Sequence, residues 1–378
     1  MGCERSRVQF PPSRFGGAVF FQLHMNPPKI ALVFAHAPSG HTAAAQAVAE
    51  ELPKLKAEPV LIDLSTELFT HSGPAVSEIY YKSLKVCPLL WDLVYDSPVI
   101  DLLSSPFRRV LSRGKSAALV KFLKGKNITA AVCTHSMPTL LLAPEGEKGF
   151  PVYAVVTDFS AHRFWPDTGV RKYFVHSSET ANSLLKRGIA RKLICETGIP
   201  VRESFFANTT VPDTGEKLIV ITGGSKGMGR IEDCVRAALS ASNAKIAVLC
   251  GTNIKLSRKI SRLAKTNPRL TAVTDYNSAP ALIRSADIII GKPGGVTAAE
   301  ALALKKPFII YAPLPGQEKL NAECMMKRNA ALRADSPEEL PWKINILLSG
   351  GAKLAFPADF SKPSAARAIA AEIIETIS

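Results

Sequence analysis

Short apolar runs alternate with helix-period segments along most of this 378-residue chain. Runs such as Ile30–Ala35 and Leu218–Thr222 are nearly continuous in aliphatic residues, which is typical of strands buried on both faces of a parallel sheet. Segments with helical spacing, Thr42–Leu55 and Ile231–Ala241, follow these two runs. The alternation predicts an α/β fold in which helices cover both faces of parallel sheets.

The alternation forms two independent series, and residues 198–216, which lack a period, lie between them. We predict a linker there and Rossmann-like domains at 29–197 and 217–378, the second including a C-terminal helix whose apolar stripe suits either domain. The other predicted strands are Pro59–Leu64, Thr129–Thr134, Val152–Thr157, Lys172–Val175, Lys245–Cys250, Leu270–Thr274, Asp287–Ile290 and Phe308–Tyr311. The other predicted helices are Ser178–Arg187, Lys255–Lys265, Thr297–Leu304, Lys319–Asn329 and Ser364–Ile377.

Two regions depart from this alternation. Residues 1–28 are predicted to be a disordered extension, although the first six residues also fit an N-myristoylation pattern. Residues 68–126 are far more than a crossover requires and are predicted to be a functional insertion. Within it, Leu102–Lys126 carries seven cations and no acidic residue, interleaved with apolar residues. Such a helix suits an anionic membrane surface, and a solvated face over a buried stripe is the alternative. The predicted membrane residues are Arg108, Arg109, Arg113 and Lys115.

The chain is strongly basic, with 47 Lys and Arg against 32 Asp and Glu and a formal net charge of +15. This excess favours a polyanionic partner, and composition alone leaves nucleic acid, an anionic membrane and a phosphorylated substrate open. No apolar run approaches the ~18–20 residues of a spanning helix, so we expect a soluble or peripheral protein.

A glycine-rich loop, Thr222–Gly229, joins a predicted strand to a predicted helix. Glycines let the backbone approach a phosphate and a helix N-terminus supplies N–H donors, so the loop predicts diphosphate binding. The loop also fits the T-G-x-x-x-G-x-G pattern of short-chain dehydrogenases. Those enzymes need a downstream Tyr-x-x-x-Lys, and neither Tyr276 nor Tyr311 has Lys four residues on. Hydride transfer is therefore disfavoured.

Two later turns also join a predicted strand to a predicted helix. Gly291–Glu300 reads G-K-P-G-G-V-T-A-A-E and is predicted to place Glu300 on the first helical turn. The Glu300 carboxylate can accept hydrogen bonds from the two hydroxyls of a ribose, or it can simply interact with the positive end of the helix dipole. Pro313–Asn321 reads P-L-P-G-Q-E-K-L-N, whose polar side chains suit sugar hydroxyls or a capped helix start.

Together these three motifs resemble glycosyltransferase family 28, and the resemblance implies a GT-B fold, in which two Rossmann-like domains face a cleft. It implies a UDP-sugar donor and no metal, because there is no Asp-x-Asp string and the glycine loop and helix dipole can stabilise the leaving UDP. By this resemblance, Gly223, Gly224 and Ser225 hold the diphosphate, Gly295 and Thr297 lie beside it, Glu300 binds ribose, Gln317, Glu318 and Asn321 face the sugar, and Tyr276 and Asn277 lie near uracil.

Motifs in the first half narrow the resemblance. They are Ser39–Ala45 after the first strand, T-D-F-x-x-H-x-x-W at Thr157–Trp165, T-G-I-P-V-R at Thr197–Arg202, and an aromatic segment around Tyr80-Tyr81 and Trp91. They are similar to the diacylglycerol glycosyltransferases, namely the monogalactosyldiacylglycerol synthases and the processive diacylglycerol glucosyltransferases. One departure is Pro38-Ser39, where relatives usually have glycines before Gly40-His41.

The narrower resemblance implies inverting transfer of glucose or galactose to diacylglycerol by a peripheral protein on the cytoplasmic side of a membrane, without nucleic acid. His41 would take the acceptor proton at the carboxyl edge of the sheet, and Asp158 would be an alternative base or orient the acceptor. The implied acceptor residues are Gly40, Tyr81, Trp91, His162 and Trp165, with core packing an equal alternative for Trp165.

Three other functions remain open from the sequence. One is an N-acetylglucosaminyltransferase acting on a lipid-linked peptidoglycan precursor, and another is a UDP-sugar 2-epimerase that needs no lipid acceptor. The third is a non-catalytic UDP-sugar-binding membrane protein, which the basic segment and the altered Pro38-Ser39 turn would suit.

Overall fold

The computed structural model describes residues 27–35, 37–67, 116–207 and 215–377. These residues form two six-stranded sheets with the strand orders β2-β1-β3-β4-β5-β6 and β12-β11-β10-β7-β8-β9. All neighbouring strands in both sheets are parallel. The predicted α/β class with two Rossmann-like domains is therefore confirmed.

The first sheet contains β1 Lys29–Phe34, β2 Glu58–Asp63, β3 Ile128–Cys133, β4 Val152–Val155, β5 Lys172–Phe174 and β6 Ile194–Cys195. The second contains β7 Leu218–Thr222, β8 Lys245–Leu249, β9 Leu270–Val273, β10 Ile288–Gly291, β11 Phe308–Tyr311 and β12 Leu332–Ala334. The helices are α1 Gly40–Glu51, α2 Leu64–Glu67, α3 Ser136–Gly146, α4 Ser178–Leu185, α5 Ile231–Ala241, α6 Ile254–Ala264, α7 Ala279–Ser285, α8 Gly295–Ala303, α9 Gln317–Lys327, α10 Glu339–Leu348 and α11 Ala365–Ile377. Residues 116–125 are also helical.

The central strands are buried on both faces, as their continuous apolar sequences predict. In β1, Ile30 and Leu32 pack into one cluster of the first domain, while Ala31 and Val33 pack into another. All four residues have no exposed surface. Since successive side chains of a strand point to opposite faces, each face of the sheet needs its own helix layer.

The last helix, α11, packs on the first domain. Its Ile369 and Ile373 lie in the same cluster as Ile30 of β1 and Val48 of α1. The hydroxyl groups of Tyr153 on β4 and Thr376 on α11 are 2.7 Å apart. The chain therefore crosses between the domains a second time, and the last helix of the predicted second domain packs against the first.

The first half of the predicted linker is built into the second domain. Ile199, Val201 and Phe205 are buried in a cluster with Val220 of β7 and Ile283 of α7. Residues 208–214 lie outside the described part of the chain. The linker thus contributes core side chains rather than a free connection.

Several predictions fall outside the described residues: the extension at residues 1–26, Tyr81, Trp91, and the membrane residues Arg108, Arg109, Arg113 and Lys115. They stay predictions. The described end of the basic segment has buried Leu119 and Leu123 and exposed Lys121 and Lys124, which is the ordinary arrangement of a surface helix. Among the described residues, no helix has the length and apolarity needed to cross a membrane.

His176 lies in the core between the domains, and none of the described residues forms a hydrogen bond with either of its ring nitrogens. Its ring centroid is 4.2 Å from that of Phe159 and 4.6 Å from that of Phe360. Burial, together with the charges of Lys362 and Arg328, lowers the pKa of His176 to about 3, against an opposing effect of Glu179. The imidazole is therefore neutral in the folded protein at physiological pH.

Replacement of His176 should remove part of the acid sensitivity of the fold. The unfolded chain binds a proton near the ordinary pKa of 6.5, whereas folded His176 stays neutral down to about pH 3, so stability is lost as pH falls between these values. From about pH 7.5 to about pH 5 the wild type should lose about 2 kcal/mol of unfolding free energy that His176→Leu keeps. Urea denaturation of both proteins measures this, and equal losses would contradict it.

Candidate functional site

A cleft lies between the two domains at the carboxyl ends of both sheets, where doubly wound folds bind ligands. The first domain contributes Ser39 and Gly40, which follow β1, and the segment that joins the domains contributes Arg202. The second domain contributes the loops after β7, β8 and β9 and the start of α8. Of the predicted donor residues, Gly224, Ser225, Tyr276, Thr297 and Glu300 line this cleft.

The loop after β7 needs glycine for two different reasons. A Cβ at Gly223 would lie 2.4 Å from the carbonyl oxygen of Met228, so only glycine lets the loop close on itself. Gly224 has a φ of +69°, in the left-handed region that favours glycine, and its nearest atoms are those of the Lys292 side chain at 3.9 Å, which leaves space in front of the loop. Ser225 Oγ donates to the carbonyl oxygen of Pro38 at 3.1 Å. This loop therefore touches the first domain and offers a space for a ligand.

Glu300 lies in the second turn of α8, not in the first turn as expected, because the helix begins at Gly295. Its side chain is buried, and burial raises the pKa of Glu300 to about 8 against the opposing charge of Arg202. Within the described chain, no hydrogen bond reaches its carboxyl group. A buried carboxyl group without a hydrogen-bond partner is costly unless a ligand supplies one.

Arg202 lies against two aromatic rings of the cleft lining. Its guanidinium carbon is 4.4 Å from the ring centroid of Tyr276 and 5.4 Å from that of Phe205, and it is only 9% exposed. Asn277, the other residue predicted near the base, is exposed and lies outside the cleft lining. Arg202 ends the T-G-I-P-V-R motif, which by itself predicted no role for this side chain.

His41 is the second residue of α1, with its ring held against the first sheet. Its Nδ1 is 2.8 Å from the carbonyl oxygen of Thr134 and 3.0 Å from Oγ1 of Thr157. A carbonyl oxygen can only accept, so in neutral His41 the proton resides on Nδ1. Nε2 is then the ring nitrogen able to take a proton, which suits the predicted role as general base.

The start of α8 touches the first domain directly. A Cβ at Gly295 would lie 1.9 Å from the carbonyl oxygen of Thr157 and 2.8 Å from Oδ1 of Asp158. Only glycine allows this approach. Because Thr157 also contacts His41, the predicted base and the donor-domain helix share one neighbour.

Asn321 is fully buried and makes three hydrogen bonds, two of which join it to the first domain. Its Oδ1 accepts from the backbone N–H of Phe159 at 2.9 Å, and its Nδ2 donates to Asp158 Oδ1 and to the carbonyl oxygen of Pro293, each at 3.0 Å. Its amide group is thus engaged within the protein, and its sugar contact stays a prediction. Burial, helped by the charge of Glu318, raises the pKa of Asp158 to about 7, while the Asn321 bond and Lys292 oppose the rise.

Lys292 and Glu318 form a largely buried ion pair beside the glycine loop. Glu318 also accepts from the backbone N–H of Leu314 at 2.9 Å. Lys292 Nζ lies 3.9 Å from the Cβ position of Gly224 and 3.8 Å from that of Gly294. Glu318 was among the predicted donor residues and Lys292 was not, although both belong to motifs that join a strand to a helix.

The remaining predicted residues have different surroundings. Gly40 lines the cleft, whereas Trp165 is 3% exposed and packs in a core cluster, as the packing alternative expects. His162 is half-buried, and its Nδ1 accepts from the backbone N–H of Phe164 at 3.2 Å. Gln317 Nε2 is 3.5 Å from the carbonyl oxygen of Ser160. The acceptor roles of His162 and Trp165 stay predictions.

Two family descriptions match this chain. Residues 41–201 match monogalactosyldiacylglycerol (MGDG) synthase, and residues 218–376 match the glycosyltransferase family 28 C-terminal domain. Together the matches span most of the chain, which combines an MGDG synthase domain with a glycosyltransferase family 28 C-terminal domain.

Curated relatives agree over nearly the whole length. A processive diacylglycerol beta-glucosyltransferase of Bacillus cytotoxicus is 29% identical over 347 residues, which cover 86% of this chain and 87% of the relative. One from Bacillus cereus strain 03BB102 is 28% identical over 371 residues, which cover 93% of each chain.

Solved structures share the two-domain fold. The UDP-GlcNAc 2-epimerase from Neisseria meningitidis, bound to UDP-GlcNAc, has a TM-score of 0.59 at 14% identity and covers 92% of this chain and 100% of its own. MurG from Acinetobacter baumannii has a TM-score of 0.55 at 16% identity, with the same two coverages. At these identities the likeness concerns the fold alone, which is that of GT-B glycosyltransferases.

Glu300 should make nucleotide binding depend on pH. Ribose hydroxyls donate hydrogen bonds to a carboxylate, so UDP binding should favour the ionised form of Glu300, whose pKa is about 8, and release a proton. UDP affinity of the wild type should rise about tenfold from about pH 7 to about pH 9, and this dependence should be lost in Glu300→Gln. Titration calorimetry in buffers of different ionisation enthalpy measures both quantities. A pH-independent affinity without proton release in the wild type would contradict this role.

Proposed function

We propose that this protein transfers a hexose from a UDP-sugar to diacylglycerol, with inversion at the anomeric carbon, to form a glycosyldiacylglycerol membrane lipid. The observation that carries the proposal is the cleft, which is lined by Gly40, by the glycine loop and by Glu300, whose carboxyl group has no hydrogen-bond partner among the described residues. His41 directly follows Gly40, and its Nε2 is the ring nitrogen able to accept a proton. The printed names of the relatives support diacylglycerol as the acceptor.

The second domain would hold the donor. Glu300 accepts the ribose hydroxyls, and the backbone around Gly224 and Ser225 faces the diphosphate. Glu318, held by Lys292 and by the backbone N–H of Leu314, accepts sugar hydroxyls. These contacts would hold the donor so that its anomeric carbon faces the first domain.

In the transfer step, the acceptor hydroxyl oxygen forms a bond to the anomeric carbon while the bond from that carbon to the β-phosphate oxygen breaks. The electron pair of the broken bond leaves with UDP, and the hydroxyl proton passes to His41 Nε2. Lys292, beside Gly224, supplies positive charge where the leaving diphosphate gains negative charge. The proposal therefore includes no metal ion.

The acceptor remains in a bilayer, so the protein would act as a peripheral protein on the cytoplasmic side of a membrane. The match to the MGDG synthase description favours this acceptor over a peptidoglycan precursor. No partner other than UDP-sugar, lipid and an anionic surface is included.

Assays of UDP release test the proposal, using UDP-glucose, UDP-galactose and UDP-N-acetylglucosamine with diacylglycerol vesicles. We expect lipid-dependent UDP release with a hexose donor and a glycolipid product that mass spectrometry identifies. His41→Ala should lower turnover by about 10²–10⁴-fold and leave UDP affinity nearly unchanged, since the base acts on the acceptor.

Other outcomes have distinct meanings. Interconversion of UDP-sugars without lipid would indicate an epimerase, and UDP binding without any release would indicate a non-catalytic protein. Turnover of His41→Ala within a few-fold of wild type would move the base to Asp158 or to solvent.

A further inference from the structure

Helix α6 carries a line of cations on its outer side. Leu256 and Ile260 bury its inner side. Lys255, Arg258, Arg262 and Lys265 follow one another at spacings of three, four and three residues, which places them on one side of the helix. All four are exposed, and residues 254–265 contain no Asp or Glu.

These four cations have no ion-pair partner among the described residues. Lys259 on the same helix differs, because its Nζ is 2.6 Å from a carboxylate oxygen of Glu232. Like charges four residues apart, as in Arg258 and Arg262, destabilise a helix unless counter-charges approach. The unpaired line therefore fits an external polyanion.

An exposed apolar residue lies beside this line. Ile254 is 65% exposed and lies one helical turn before Arg258, on the same side of α6. Cations that meet phosphate headgroups and an apolar side chain that enters the acyl boundary together define an interfacial helix. A soluble polyanion would use the cations and leave Ile254 without a role.

The start of α6 is hydrogen-bonded to the glycine loop that follows β7. Asn253 accepts from the backbone N–H of Leu256 and donates through Nδ2 to the carbonyl oxygen of Gly227 at 3.0 Å. The backbone N–H of Thr252 donates to the carbonyl oxygen of Ser225 at 2.9 Å. Ile254 thus directly follows two residues that are hydrogen-bonded to the loop lining the cleft that would hold the nucleotide.

We propose that the α6 cationic face, formed by Ile254, Lys255, Arg258, Arg262 and Lys265, binds an anionic lipid surface and holds the second domain on the membrane. This inference rests on the proposed function, which requires the cleft to reach a lipid acceptor. It assigns a membrane contact to the donor-binding domain, separate from the basic segment of the first domain.

Vesicle co-sedimentation of the full chain tests the proposal, with phosphatidylcholine vesicles that contain or lack phosphatidylglycerol. The test variant changes Lys255, Arg258, Arg262 and Lys265 to Gln. The matched control changes four exposed cations on other elements, Lys56, Lys186, Lys192 and Lys327, to Gln and so removes the same net charge. The test variant should lose at least about tenfold in affinity for anionic vesicles, and the control should stay within about twofold of wild type. Equal affinities of the two variants would overturn the proposal, as would equal wild-type binding to neutral vesicles.

The substitution Ile254→Ser tests how much the apolar side chain contributes to vesicle binding. High salt screens the cations, so the binding that persists at about 1 M salt should fall in Ile254→Ser. Persistence of that binding at the wild-type level would remove Ile254 from the contact.

An activity measurement separates this proposal from the proposed function. With diacylglycerol dispersed in detergent micelles, the α6 test variant should turn over at the wild-type rate, and only its rate on anionic vesicles should fall. If wild type shows no transfer in micelles, the proposed function fails and the vesicle-binding result stands alone. Equal loss by the test variant in both systems would overturn the membrane role of α6.

Discussion

The contact between the start of α8 and the loop after β4 holds the two domains together at the centre of the cleft. Gly295 allows α8 to approach the carbonyl oxygen of Thr157, and the buried amide of Asn321 joins Asp158, Phe159 and Pro293 around that point. These polar groups are buried, so their hydrogen bonds are needed to offset the loss of water. The rest of the site depends on this alignment, because His41 lies on one side of the contact and Lys292 on the other.

The ionisable groups in and beside the cleft are matched better by a nucleotide-sugar than by water. Burial raises the pKa of Glu300 and of Asp158, so both carboxyl groups are under-stabilised as carboxylates in the protein itself. Lys292 of the second domain and Arg202 of the segment that joins the domains supply positive charge. The ribose hydroxyls of a donor would donate hydrogen bonds to the carboxyl groups, and its diphosphate would meet the positive charges. The same positive charges would then stabilise UDP as it leaves.

The backbone framework was largely predictable because apolar runs report strands buried on both faces. β7, β11 and α5 have the predicted bounds, and other predicted elements differ by a few residues at their ends. Helix α3 was missed since Pro138 and Pro144 interrupt its pattern. The strands β6 and β12 are too short to give a recognisable apolar run. The start of α8 was predicted two residues too late because glycines are unusual at the start of a helix, and Glu300 was therefore predicted one turn too early in the helix.

Individual roles were less predictable where they depend on how the domains meet. The local motif around Asn321 suits a sugar hydroxyl, and only the approach of the Asp158 loop converts that side chain into a domain contact. The apolar stripe of α11 fits two surfaces equally until the packing against Ile30 is known. The cations of α6 resemble any solvated helix in sequence, and their lack of partners becomes visible only once neighbouring acidic groups are placed.

Turnover of Gly295→Ala compared with Gly294→Ala tests the dependence on domain contact most directly. A Cβ at Gly295 would meet the Thr157 carbonyl oxygen at 1.9 Å, whereas one at Gly294 has its nearest neighbour, Lys292 Nζ, at 3.8 Å. Gly295→Ala should push α8 away from the first domain and lower hexose transfer by at least about tenfold, since small displacements of reacting groups cost large factors in rate. Gly294→Ala should stay within about twofold of wild type. Equal turnover of the two folded variants would contradict the account.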